Sequence, residues 1–312
     1  MKLGVLTVPL YGQSTEEAFK YLSGLGVKAV EIGAGGYPGN THMVPAAQMK
    51  ELLAKYNLTI SAISAHGNPV HPNKEAANRF HDDFVTACKY ASELGVDTVI
   101  TFSGCPGDGP NAVNPNWVTC AWPPEYGDIL KYQWEEVLIP YWKEAVKIAE
   151  GYGIKKIALE MHPGFCVYNT STLLRLRSEV GDIIGANFDP SHLYWQGMVP
   201  TEAIKALKGA IYHVHAKDVR VDMYNTAVNG VLDTSGYGNI VDRSWVFRTV
   251  GFGHGESEWR DIISTLRATG YDGALSIEHE DGLMSVKEGL EQAIKFLKPM
   301  ILEEVPADMW WA

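Results

Sequence analysis

Four phrases along the chain, LGVKAV from Leu25, LGVDTV from Leu94, YGIKKI from Tyr152 and TGYDGAL from Thr269, share one order of parts. Each ends a helical run, passes a glycine suited to the left-handed backbone at a helix C-terminus, and enters an apolar, β-type segment. The alternation continues from end to end. Strand candidates fall at 2 to 8, 28 to 33, 58 to 65, 97 to 103, 155 to 161, 183 to 189, 210 to 216 and 273 to 278. Amphipathic helical stretches separate them near 14 to 25, 44 to 56, 74 to 94, 132 to 151, 170 to 179, 200 to 208 and 257 to 269, with a last one near 284 to 301. Eight βα units in succession predict a (βα)8 TIM barrel, α/β in class, rather than an open sheet. At 312 residues, with no Pro/Ser linker, the chain reads as one domain, 1 to 312.

Two connections exceed what a βα loop needs: 104 to 131 after the fourth strand and 219 to 256 after the seventh. They carry Trp117, Trp122, Tyr126, Tyr224, Tyr237, Trp245 and Phe247, too many aromatics for disorder. Ordered caps over the barrel mouth, or an oligomer contact, are expected. The apolar ending MWWA, 309 to 312, is expected to pack on the body or on another subunit.

Chemistry concentrates at the strand ends. IALEMHPG, GANFDPSH, IYHVHAKD and ALSIEHED each turn from apolar to acidic and place a potential metal ligand last: Glu160, Asp189, His215 and Glu278. Alternate side chains of a strand face opposite sides. Ala158, Glu160 and His162 therefore share a side, as do Asn187 with Asp189, His213 with His215, and Ser276 with Glu278. Leu159, Phe188, Val214, Leu275 and Ile277 take the other side, against the outer helices. Three carboxylates and one imidazole suit a single hard divalent ion, Mn²⁺ first, with Mg²⁺ or Co²⁺ tolerated.

An ion held by adjacent carbonyl and hydroxyl oxygens would stabilise an enediolate formed when a carboxylate removes the proton α to a carbonyl. Glu160 and Glu278 are read as that base and its partner acid, and His192 as a third catalytic group reaching the mouth. Substrate contacts are expected from His66, Glu31, His162, Lys217 and Arg220. His213 reads as a satisfied interior histidine; His42, His71, His81, His254 and His279 read as surface or loop residues. GFGHGESEW, 251 to 259, is glycine-rich before a helix, too weak a pattern to make a phosphate cradle.

Taken together, GANFDPSHL, HVHAKD, GYDGALSIEHED and ALEMHPG resemble the sugar phosphate isomerase/epimerase superfamily, the xylose isomerase-like TIM barrels, over nearly the whole chain. That group includes ketose 3-epimerases, hydroxypyruvate isomerases and inosose dehydratases. The resemblance implies metal ligands at Glu160, Asp189, His215 and Glu278, with both Glu catalytic and His192 touching substrate. HAKDVR looks more like the inosose dehydratase branch, and the two long insertions depart from the compact epimerases.

The function expected is a divalent-metal sugar isomerase or epimerase acting on a keto sugar or cyclitol derivative. The alternatives are a metal-dependent lyase, dehydrating a keto-inositol or eliminating from a 3-keto-glycoside, and a non-catalytic sugar-binding subunit. Lys and Arg number 26 against 37 Asp and Glu, a net charge of -11 that repels phosphate backbones and anionic lipid. Neither nucleic acid nor membrane is expected as a partner; a small-molecule sugar is, with a homo-oligomer, or a second subunit, completing the assembly. The opening MKLGVLTVPLYG lacks the features of a signal peptide, and the four cysteines have no CxxC spacing, so a cytoplasmic protein with reduced thiols is expected.

Overall fold

The computed structural model describes residues 1 to 37 and 39 to 311. Eight parallel strands form the barrel: β1 (Lys2–Leu6), β2 (Ala29–Gly36), β3 (Thr59–His66), β4 (Thr98–Phe102), β5 (Lys156–Glu160), β6 (Ile184–Phe188), β7 (Ile211–Ala216) and β8 (Ala274–Ile277). Neighbours in sequence are neighbours in space, and β1 pairs with both β2 and β8, so the sheet closes and keeps no free barrel edge. All eight lie where the apolar runs placed them.

The period-two reading holds. Leu159, Phe188, Val214, Leu275 and Ile277 are buried in the large apolar layer between strands and helices. Ala62, Ile100 and Ala158 form a separate small layer along the axis, with Tyr212 packed against it. Helix ends follow their local signals as well. Ser14 and Glu17 make a reciprocal capping box at Thr15–Gly24, and Asn73 caps Lys74–Leu94 through the N–H groups of Glu75 and Ala76. The four glycines of the repeated phrases adopt positive φ, from 73° at Gly95 to 95° at Gly270.

One helix differs from expectation. The stretch expected at 132 to 151 begins earlier, with Pro124–Lys131, widens to a π-helix over Tyr132–Leu138, and continues as Ile139–Gly151. Pro140 has no N–H for an α-helical bond and its ring crowds the carbonyl four residues back, which the π widening relieves. The widened turn buries Gln133, whose Nε2 donates to the carbonyls of Pro106, Gly107 and Asn116 and so ties down the first insertion.

The second insertion is built differently. Asp218–Val221 pairs antiparallel with Trp245–Arg248, enclosing the short helix Met223–Asn229. Trp195, Val219, Trp245 and Phe247 form their own apolar cluster, with the Trp195 and Trp245 rings stacked at 4.6 Å. The C-terminal segment does not pack on the body. Trp310 and Trp311 are 87% and 69% exposed; Ala312 lies outside the described residues. No helix among the described residues is long and apolar enough to cross a membrane.

Candidate metal centre

Glu160 is the last residue of β5, Asp189 follows β6, His215 is the penultimate residue of β7, and Glu278 follows β8. Closing the barrel brings these four C-terminal ends together. One ligand atom from each lies within 4.8 Å of all the others. His215 Nδ1 stands 3.1 Å from Glu160 Oε2 and 3.0 Å from Glu278 Oε2. Asp189 is held by its Oδ1, which accepts the Ser191 N–H at 2.8 Å and caps the short helix Pro190–Tyr194.

The donor set fits a hard divalent cation. His215 Nδ1, Asp189 Oδ2 and Glu278 Oε2 are buried and have no aligned hydrogen-bond partner, although they crowd one another. Buried polar atoms are normally satisfied; Lys217 Nζ approaches two of these three, and a shared cation would satisfy all three together with the fourth carboxylate. Tautomer geometry agrees. His215 Nε2 lies 3.0 Å from Glu31 Oε2, so donating its N–H there leaves the Nδ1 lone pair facing the carboxylates. Glu31 Oε2 also accepts from Ser276 Oγ at 3.0 Å.

Around this centre the charges compensate. Burial raises the Glu160 carboxyl, but contacts from His192, His215 and His66 outweigh it and hold Glu160 well below the usual range. Asp189 goes the other way: desolvation, against the pull of Lys217 and helped by the charges of Glu160 and Glu278, pushes it up to about 7. Burial pulls the Lys217 ammonium down, yet Asp189, Glu278 and Glu280 hold it well above its ordinary value. Its Nζ is 3.1 Å from Asp189 Oδ2 and 2.9 Å from Glu278 Oε2. His192 is kept neutral by burial and by the charges of His162 and Lys217, while its Nε2 sits 3.1 Å from Glu160 Oε1.

Most of the expected site residues meet here. His66 Nε2 approaches Glu160 Oε2 at 3.3 Å, and the His162 ring lies 4.1 Å from that of His192. Two others are placed differently. Glu31, expected as a substrate contact, lies midway along β2, which runs on to Gly36; it is wholly buried, with its Oε2 against His215 Nε2. Arg220 is not brought to the centre. The chain beyond β7 becomes a hairpin strand, and at the position opposite Val246 the Arg220 side chain is exposed. His213 is the satisfied interior histidine expected, bonded to Asn187 and Ser61. His42 and His279, expected as surface or loop residues, do lie in loops, and each is only 9% exposed. The His279 ring lies against Gly289 of the helix Val286–Leu297.

Sequence reasoning missed Asp218. Its Oδ2 accepts the N–H groups of Gly251, Gly253 and His254 at 3.0, 3.1 and 3.0 Å, and its Oδ1 meets His254 Nδ1 at 2.7 Å. The glycine-rich GFGHG does cradle an anion, namely this chain's own carboxylate. A Cβ at Gly253 would stand 2.2 Å from the Val219 carbonyl oxygen, so only glycine permits the approach. The run of closely spaced glycines was the available signal. Through this clamp Phe247 reaches the centre, its ring 5.3 Å from His192 and 4.8 Å from Lys217 Nζ.

Two cavities open beside the cluster. One, about 410 Å³, is lined by His66, Phe102, His162, Phe165, Glu278 and Glu280 among others. The second, about 530 Å³, adjoins it at His162 and Glu280 and is walled by the second insertion.

A family model described as xylose isomerase-like TIM barrel matches residues 19 to 300. The chain belongs to that family. Among curated relatives of this xylose isomerase-like chain, an uncharacterized Bacillus subtilis protein, YfiH, is 39% identical over 96% of this chain and 99% of its own length. An inosose dehydratase of Clostridium botulinum is 31% identical over 45% of each chain. Among solved structures, the IolI protein with a bound zinc atom covers 96% of both chains at a TM-score of 0.66 and 19% identity, a likeness of fold.

Proposed function

We propose that this chain is a divalent-metal-dependent enzyme that isomerises or epimerises a keto sugar or cyclitol derivative through an enediolate. The reading rests on the convergence of Glu160, Asp189, His215 and Glu278, three of them with buried ligand atoms that make no hydrogen bond, beside a cavity large enough for a sugar ring. When bound, the ion would supply positive charge to the oxygens on which the enediolate charge develops. Mn²⁺ is the first choice, since oxygen donors outnumber nitrogen and no cysteine belongs to the cluster.

The protein's own groups divide the remaining work. Glu278, which lines the smaller cavity, removes or returns the proton next to the carbonyl. Glu160 is the opposite carrier, with His192 and Asn187 fixing its two oxygens. His66 and His162 face the same cavity and orient hydroxyl groups. Lys217 holds Asp189 and Glu278 in place and balances their charge.

The test is isotopic. Mn²⁺-loaded protein in D₂O is expected to place deuterium at the carbon α to the carbonyl of ketohexoses or inososes, and E278Q to abolish the exchange by more than about 100-fold. No Mn²⁺ binding, or no exchange with any such sugar, sinks the reading. A second reading, dehydration, is favoured by the buried Lys217 ammonium beside the cluster and by the partial likeness to inosose dehydratase. An ultraviolet-absorbing enone or diketone product would select it. A non-catalytic sugar-binding role would show equal sugar affinity with and without Mn²⁺ and no exchange.

A further inference from the structure

The two cavities differ in what they offer a ligand. The smaller one ends on titratable groups: His66, His162, Glu278 and Glu280. The larger one is lined by the second insertion on one side and by 280 to 283 on the other, and its apolar lining is Tyr237, Ile240, Val246, Phe247 and Leu283. Part of its polar lining is engaged. Asp281 accepts from Arg248 Nε at 3.0 Å and from the N–H groups of Thr249 and Leu283, both at 2.8 Å. Glu280 is paired with Lys217.

A second sugar ring would bring several hydroxyls, and the side chains of Ile240, Val246, Phe247 and Leu283 would leave those facing them unpaired, which is costly on burial. An aryl or branched alkyl group would bring none. Tyr237 and Leu283 line this cavity while 61% and 57% exposed, apolar surface that such a group would cover. Phe247 stands between the compartments. Its ring forms part of the larger cavity's wall, while His192 and Lys217 touch it from the side of the metal centre.

We infer that the substrate has two parts: a polyol ring over Glu278 and His66, and an apolar substituent seated against Phe247, Ile240 and Leu283. The substrate class is thus a conjugate of a keto sugar, such as an aryl or alkyl glycoside whose ring carries the carbonyl, and simple glycosides serve as unreactive binding probes for it. This inference rests on the reading of the four-ligand cluster as the reaction centre, which is tested separately by Mn²⁺ uptake on the same sample.

The experiment compares methyl and phenyl β-D-glucopyranosides, and the corresponding galactopyranosides, binding to the Mn²⁺-loaded full chain by calorimetry. In at least one sugar series the phenyl compound is expected to bind about tenfold more tightly or better, from the apolar area its ring buries. Ile240→Asp and, independently, the surface substitution Leu283→Asp are expected to erase that preference while leaving affinity for the methyl compound and for Mn²⁺ unchanged. Equal affinity for phenyl and methyl compounds, binding of neither, or a phenyl preference that survives both substitutions overturns the two-part substrate. Should Mn²⁺ fail to bind at all, the reading of the centre falls first. With Mn²⁺ bound and no phenyl preference, only the substrate inference falls.

Discussion

The two long insertions leave the same end of the barrel, and both carry several aromatic residues, yet they are tied to the molecule in different ways. The first, 104 to 131, is held from behind by Gln133, which donates to three of its carbonyls, and by Asn68, which accepts the Cys105 N–H at 2.9 Å. Among the described residues it lines neither cavity, and its Trp122 is 74% exposed. The second, 219 to 256, is clamped by Asp218 one residue beyond Lys217 and turns Phe247 toward His192. Aromatic content signals order in both segments. What makes only one of them a wall of the site is a buried carboxylate, next in sequence to a centre residue, that collects the backbone donors of the returning loop.

The comparison breaks most directly at the clamp. Asp218→Ala leaves three backbone N–H groups without an acceptor and is expected to cost roughly 2–5 kcal/mol in urea unfolding. Ligand binding in the larger cavity should be lost with it. An effect below about 0.5 kcal/mol would mean that the apolar cluster of Trp195, Val219, Trp245 and Phe247 holds the insertion unaided.

Next in size is the support beneath the centre. Glu31→Ala is expected to weaken Mn²⁺ binding by about 10–100-fold, because it leaves the His215 Nε2–H without its acceptor. Calorimetry reads the affinity directly, and Glu31→Gln, which keeps an acceptor oxygen, should lose less. The same centre should signal to one insertion and not the other. Stripping metal with EDTA is expected to raise amide exchange at 245 to 254, through Lys217 and Asp218, and to leave 104 to 116 unchanged. Equal changes in both would erase the distinction.

Smaller effects sharpen it. Trp122→Ala is expected to stay within about 0.5 kcal/mol of the parent and to leave Mn²⁺ affinity unaltered, as for an exposed residue far from any special contact. Acid should loosen the second insertion at one further point. Asp233 accepts the N–H groups of Ser235 and Ser244, and the Ser235 hydroxyl and these amides lower its pKa to about 2 from an ordinary 3.8. Because the folded value is the depressed one, its contribution is present above pH 3.8 and is lost as pH falls through about 2. Trp245 fluorescence followed between pH 5 and pH 2 would report the loosening, and Asp233→Asn should remove the pH dependence.

Much of the centre was legible because it is written with short periods. Glu160, Asp189, His215 and Glu278 each stand at or just beyond the end of an apolar run, and alternation along those runs separates them from Leu159, Phe188, Val214 and Leu275. Lys217 was within reach of the same logic, one position past β7. Arg220 was not, since the chain there enters a hairpin whose alternation is set by its partner strand and not by the barrel. Asp218 and the glycines at 251 and 253 could not be linked from either segment alone. An acidic residue and a glycine-rich turn more than 30 residues apart meet only when the insertion folds back.

Local chemistry in the chain therefore determined the eight βα units, the closure they demand, and the four side chains that end the last four strands. Tertiary structure alone decided that Glu31, 184 residues from His215, would lie beneath it, and that Phe247 rather than Trp122 would border the centre. The physical reason is range. Helix and strand periods are settled by neighbours a few residues apart, whereas partners across a closed barrel are chosen by how the whole sheet curves.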